Sequence, residues 1–311
     1  MLSTRPIDES DFGALGQLLD DVFRRPRGVI DQHMLDDFPL VFVKSNRPNC
    51  RVIEDSGRIV SHAALWPRTL DAAGGRLKVG VIAAVATHPE FRHRGLAAFI
   101  LRDLQATMRE QKYDLGVLWT GVPDFYRKLG WEIVVPRGRM VQLTANAGAS
   151  SSPETDFEIQ SFDERRYLDQ VVALYNLEPF RFHRSREEFT VLATLNKVET
   201  WVAIERSQVV AYLVNANGYN KRGIIEYGGK VAGIVALVQH VLKDQPPGTV
   251  RPLLLYHPRE DLQEWVTSRG LPSRPLECSK GKGCEMILVL CPERVTQRVR
   301  DDLFAWGLDQ A

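Results

Sequence analysis

The stretch Val79-Gly80-Val81-Ile82-Ala83-Ala84-Val85-Ala86-Thr87-His88-Pro89-Glu90-Phe91-Arg92-His93-Arg94-Gly95-Leu96-Ala97 admits few folds. Its apolar opening reads as a buried strand that ends at His88-Pro89. Leu96, Phe99, Ile100, Leu104 and Met108 then recur at three- and four-residue spacing, which predicts a helix to about Gln111. A strand that turns through a short basic loop into a helix aims unpaired backbone N–H groups and the positive end of the helix dipole at one point. Arg92, His93 and Arg94 surround that point, and a diphosphate is its natural ligand.

The rest of the chain sets bounds on what such a corner can serve. Its 311 residues suffice for two domains, and a hydrophobic content of 44% with 25% charged residues is that of a soluble globular protein. With 40 basic against 39 acidic residues, nothing global recruits nucleic acid or an anionic membrane. The longest apolar run, Val79 to Ala86, is strand-sized and far short of a membrane span. Asp8, Glu9, Asp11, Asp20 and Asp21 crowd an N-terminus without an apolar signal core, so a cytoplasmic location is expected. Cys50, Cys278, Cys284 and Cys291 form no C-x-x-C pair and have no flanking histidine at zinc spacing. Reduced thiols and no metal site are expected.

Before the corner, Arg5-Pro6-Ile7 reads as a short strand, Ser10 to Phe23 as a helix, and Asp31 to Phe42 as a second helix. Arg51–Glu54 and Arg58–Leu65 make a hairpin about Asp55-Ser56-Gly57. After it come the strand Leu115–Thr120 and a short helix that Pro123 opens and Gly130 closes, followed by strands at Trp131–Val135 and Met140–Leu143. This order gives an α/β (α+β) unit, a mixed sheet with helices on both faces.

Ala145 to Asp156 is small, polar and aperiodic, the best linker in the chain. Beyond it the order restarts. Helices are expected at Arg165–Tyr175, Ser185–Asn196 (with a Ser185/Glu188 capping box), Lys230–Leu242 and Arg259–Ser268. Strands are expected at Glu199–Glu205, Gln208–Ala216, Gly223–Tyr227 and Arg251–Tyr256, with Arg274–Leu276 and Glu285–Leu290 closing the sheet. Pro292 begins a last helix to about Trp306. The reading is a divergent second copy of the same unit, giving domains at 1–146 and 157–311.

Arg92-His93-Arg94-Gly95-Leu96-Ala97 matches Arg/Gln-x-x-Gly-x-Gly/Ala, in which Gly95 lets the backbone approach a phosphate. With its flanking strand and helix, and with Asp124-Phe125-Tyr126-Arg127-Lys128-Leu129-Gly130-Trp131-Glu132 downstream, it resembles the GCN5-related N-acetyltransferase (GNAT) superfamily over residues 1–143. The tandem layout further resembles the Eis type of acetyltransferase, whose first domain is active and whose second is a degenerate copy. The resemblance implies that Val85, Ala86 and Thr87 present backbone groups to the pantetheine arm of acetyl-CoA. It also implies that the N–H groups of Arg92, His93, Arg94, Gly95, Leu96 and Ala97 hold the pyrophosphate. An amine would attack the thioester directly, with the oxyanion near the Ala86 N–H and Tyr126 as general acid.

No acid lies on the strand before the loop, so the base is open; His62 and His88 are the candidates for a water-relayed proton. Longer Eis-type members end in a sterol-carrier-like domain whose terminal carboxylate reaches the site, and 311 residues are expected to leave no room for it. The expected function is N-acetyl transfer to a primary amine of a small molecule or peptide bound at the domain junction, with homo-oligomeric assembly left open. The alternative is a non-catalytic acyl-CoA-binding regulatory protein. A transferase using charged tRNA is disfavoured by the intact loop and a net charge of +1. Asp31, Asp36 and Asp37 could draw a cationic amine. Gly228-Gly229-Lys230 only faintly resembles a phosphate loop, and Arg181, His183, Arg184 and Arg186 read as a solvated basic face.

Overall fold

A buried strand running into an amphipathic helix needs covering layers on both sides, and helices on the two faces of its sheet supply them. A computed structural model of the chain describes residues 3–72, 75–134, 139–144, 157–178, 180–218, 222–243, 249–255, 259–275 and 284–298. The first unit opens with β1 (Arg5–Pro6), then α1 (Phe12–Phe23), α2 (Met34–Asp37), β2 (Cys50–Asp55), β3 (Arg58–Ala72) and β4 (Gly75–Thr87). It continues with α3 (Leu96–Glu110), β5 (Leu115–Thr120), α4 (Pro123–Arg127) and β6 (Glu132–Ile133). The expected second helix shrinks to α2 because Phe38 precedes Pro39, which disfavours helical backbone at that residue.

The second unit holds β7 (Arg139–Thr144), β8 (Glu158–Ser161), α5 (Glu164–Asn176), β9 (Arg181–Phe182), α6 (Arg186–Ala193), β10 (Val198–Glu205), β11 (Gln208–Asn217) and β12 (Arg222–Gly229). After these come α7 (Val231–Lys243), β13 (Val250–Leu255), α8 (Glu260–Ser268) and β14 (Ser273–Pro275). A further strand, β15 (Cys284–Val289), follows. Ser185 caps α6 as expected, bonding the Glu188 amide at 3.2 Å while the Glu188 carboxylate takes the Ser185 amide at 3.1 Å.

Strand order departs from the linear reading in one respect. The first sheet runs β1-β2-β3-β4-β5-β15-β6 and the second β14-β7-β13-β12-β11-β10-β8. The chain thus leaves the first unit at Val134, builds the second from Val135 to Glu277, and returns to add β15 to the first sheet. The strands expected to close each unit exchange places. All six residues of β15 pair antiparallel with β5, from Cys284–Thr120 to Val289–Leu115, whereas β7 lies between β13 and β14. Both segments alternate well enough to be strands, and alternation does not encode which partner a strand takes.

In the first unit, Ile100, Leu101, Leu104 and Met108 of α3 pack with Leu118, Tyr126, Trp131, Met286 and Leu288 on one sheet face. Leu15, Leu18 and Leu19 of α1 pack with Val52, Ala64 and Ala86 on the other. The second unit has α7 and α8 on one face and α5 and α6 on the other. Two mixed sheets flanked by helices are therefore the architecture. The expected linker Ala145–Asp156 lies outside the described residues. The last helix is described over 292–298, and its expected continuation to Trp306 lies outside them.

Candidate active site

At their roots β4 and β5 are fastened together. The Lys78 amide donates to the Asp114 carboxylate at 2.7 Å and the Asp114 amide donates to the Lys78 carbonyl at 2.8 Å. The parallel ladder then joins Val79–Leu115, Gly80–Gly116 and Val81–Val117, and no later pair connects the two strands among the described residues. From Ile82 to Thr87 one edge of β4 stays on β3, through His62–Ala86 and Ser61–Thr87, and the other edge is unpaired among the described residues, leaving a gap between β4 and β5. An unpaired strand edge is a row of donors and acceptors for an extended ligand.

A β-bulge shapes this edge. His62 pairs with Ala86 and Ala64 with Ala83, so two residues of β4 oppose Ala63 alone. Ala84 sits there at φ +51°, a left-handed conformation costing about 1–3 kcal/mol in a residue with a Cβ. Fully buried His62 holds the bulge, its Nδ1–H donating to the Ala84 carbonyl at 2.8 Å. Burial pushes the His62 imidazole down to about 4, against the favourable pull of that bond, so it is neutral at pH 7. Its role is the bulge. His88 is also committed, its Nε2 accepting from Arg58 at 2.6 Å.

The loop from His88 to Gly95 carries two more left-handed residues, His93 at φ +63° and Gly95 at φ +76°, separated by Arg94. Such alternation turns successive N–H groups toward one concavity. Gly95 is the N-cap of α3 and no side chain caps the helix, so its first amides remain available to an anion. A Cβ on Gly95 would meet nothing within 4 Å, so glycine is required by the backbone angle rather than by space. Arg92, His93 and Arg94 are exposed; Arg92 bonds the Thr87 carbonyl at 3.3 Å, and Arg94 lies 4.8 Å over the Phe91 ring. Val85, Thr87 and Ala97 are half-buried, and Ala86 and Leu96 buried. The structure thus brings Val85–Thr87 and Arg92–Ala97 into one continuous strand-to-helix turn.

Tyr126 stands on α4, only 7% exposed, among the side chains that pack α3 onto the sheet. Burial pushes its phenol up to about 12, opposed by a hydrogen bond with Thr120 at the tip of β5. It therefore keeps its proton at neutral pH, as a proton donor must.

Elsewhere the structure revises the sequence reading. Arg184 is no solvated cation. It forms a two-pronged ion pair (2.9 and 2.7 Å) with Glu226, a partner 42 residues away that local reading misses, and lies 4.5 Å over the Tyr175 ring. Asp37 pairs with Arg24, so it is not a free anionic patch. Cys284 is disulfide-bonded, against the expectation of reduced thiols, which rested only on an assumed compartment. Among the described residues no cluster could hold a metal ion, and no helix is long and apolar enough to cross a membrane.

Comparison with known proteins bears on this geometry. A family model described as an acetyltransferase (GNAT) domain matches residues 3–134. No curated protein matches the chain in sequence. Among solved structures, a probable N-acyltransferase of Enterococcus faecalis matches with a TM-score of 0.73 at 12% identity, over 96% of this chain and 75% of that one. A GCN5-related N-acetyltransferase from Kribbella flavida matches with a TM-score of 0.69 at 15% identity, over 96% and 74%. Eis1 from Mycobacterium abscessus matches with 0.61 at 13% identity, over 96% and 76%. At such identities the structural likeness carries the fold.

Proposed function

We propose that the chain, whose residues 3–134 match a GNAT acetyltransferase model, transfers an acetyl group from acetyl-CoA to a primary amine of a small molecule or peptide. The observation that carries this reading is the continuity of the free β4 edge with the uncapped start of α3. That geometry suits a ligand with an amide-bearing arm and a diphosphate. In this reading Val85, Ala86 and Thr87 bond the arm, the amides from Arg92 to Ala97 hold the diphosphate, and Arg92 and Arg94 add charge. The first unit is catalytic, and the second is a degenerate copy without a cofactor corner.

Bound acetyl-CoA supplies an acyl carbon activated as a thioester. The neutral acceptor nitrogen attacks that carbon, the C–N bond forms, and the C–S bond breaks. In this reading a backbone N–H beside Ala86 on the free edge stabilises the developing oxyanion, and Tyr126 gives its proton to the departing sulfur. Its phenol, pushed up to about 12, stays protonated until the thiolate forms. Tyr126→Phe should bind acetyl-CoA as tightly as wild type yet turn over about 100-fold more slowly. An unchanged rate of thiol release would remove Tyr126 from the mechanism, and lost binding would show a packing role instead.

A further inference from the structure

The acceptor side of the gap has a residue of its own, and the returning strand brings it. Cys284, Met286 and Leu288 of β15 point into the cluster that α3 covers. Glu285 and Ile287 therefore face the opposite side of the sheet. Glu285 is directly opposite Trp119 on β5, so the two side chains share that face. Val117, the last β5 residue joined to β4, is on the same face, and Trp119 is the next residue on it. Glu285 thus stands one strand spacing, about 4.8 Å, beyond β5, opposite the residue by which the open end of β5 borders the gap. Tyr126 packs on the other face, with the α3 cluster. The proton donor, hydrogen-bonded to Thr120, and the carboxylate, opposite Trp119, thus lie on opposite faces of the sheet at the open end of β5.

The surroundings suit a cationic guest. Trp119 is 57% exposed, a large aromatic surface left uncovered beside the gap. Its indole N–H donates to the Glu285 carboxylate. Burial outweighs that bond and pushes the Glu285 carboxyl up to about 7, so it exchanges a proton at physiological pH. Among the described residues of β5, β15 and β6 on this face, the other titratable group is exposed Glu132, opposite Ile287 on β6. A cation is absent from these strands on this face, and a second carboxylate is present.

We propose that Glu285 is the acceptor-side base: it binds the incoming ammonium group over Trp119 and takes the proton that must leave before the nitrogen attacks. The inference rests on the acetyl-transfer reading above. The ammonium passes one proton to Glu285 and becomes a neutral amine. Its nitrogen bonds the thioester carbon, the C–S bond breaks, and the sulfur takes the Tyr126 proton. The second nitrogen proton restores Tyr126, and Glu285 releases its own to solvent. A primary alkyl ammonium is therefore the substrate class. An amine already neutral at pH 7 does not need Glu285.

Two probe amines separate base from scaffold: n-butylamine, an ammonium at pH 7, and methoxyamine, neutral there. Thiol release from acetyl-CoA is measured with each, on wild type, Glu285→Gln, Glu285→Asp and Trp119→Phe. Glu285→Gln should lose about 100-fold with n-butylamine and less than about threefold with methoxyamine, with acetyl-CoA affinity unchanged by calorimetry. Glu285→Asp should restore part of the n-butylamine rate. Trp119→Phe removes the indole donor to the carboxylate, so the acid limb of its n-butylamine pH profile should move upward. Equal losses with both amines, or none with either, would overturn the proposal. A wild type that binds acetyl-CoA but acetylates neither probe would overturn the transferase reading itself, and a wild type that does not bind it would overturn the cofactor assignment.

Discussion

The molecule has two strand-to-helix corners of the same kind, and they are built to opposite ends. In the first, eight residues from His88 to Gly95 separate β4 from α3, with two left-handed positions and an uncapped helix start. In the second, Lys230 alone separates β12 from α7. Its amide is spent on the Val210 carbonyl at 2.8 Å, and its ammonium pairs with Glu205 at 2.7 Å. Gly229, at φ +97°, presses against β11 so closely that a Cβ would lie 2.2 Å from the Val210 carbonyl oxygen. Gly95 faces open space and Gly229 faces backbone. A glycine before a helix therefore marks a ligand site only where the loop leaves its amides unspent.

The sharpest break of this comparison is a carboxylate placed at each corner. Gly95→Glu should weaken acetyl-CoA binding at least about 1000-fold, about 4 kcal/mol, while Lys230→Glu should leave it unchanged; calorimetry reads both. Next in size is the acid response of the first unit's bulge. Folded His62 titrates near 4, below its ordinary 6.5, so between those pH values the unfolded chain binds a proton that the folded chain does not. The contribution of neutral His62 is thus fully present above pH 6.5 and falls by about 3 kcal/mol on acidification to pH 4. His62→Gln should flatten that limb in denaturant titrations run across the window.

Alanine at the two glycines sharpens the contrast further. Gly229→Ala should cost more than about 2 kcal/mol of stability, from strain and overlap together, with acetyl-CoA affinity intact. Gly95→Ala should cost about 1–2 kcal/mol, the left-handed penalty alone, and should weaken acetyl-CoA binding. Smallest of all, Lys230→Ala removes a largely exposed ion pair and should change the unfolding free energy by less than about 1 kcal/mol.

What the sequence disclosed was what lies close along the chain. The strand, loop and helix around Gly95 and the short helix bearing Tyr126 follow from spacing, turn residues and apolar period, and they form where expected. Non-local choices were hidden. Met140–Leu143 and Glu285–Leu290 both read as strands, and nothing local says that each belongs to the other sheet. Local pattern consequently puts Glu285 in a closing strand of the second half, far from the chemistry. The bulge at Ala84 has no glycine to announce it. The Arg184–Glu226 pair depends on two segments meeting across 42 residues.

The contrast between the two corners leaves one acyl-CoA site per chain, in the first. The stoichiometry of acetyl-CoA binding to the intact chain, measured by calorimetry, tests it most directly. One molecule should bind per chain of wild type and none should bind to Gly95→Glu. Two equivalent sites per chain, or one site that survives Gly95→Glu, would contradict it.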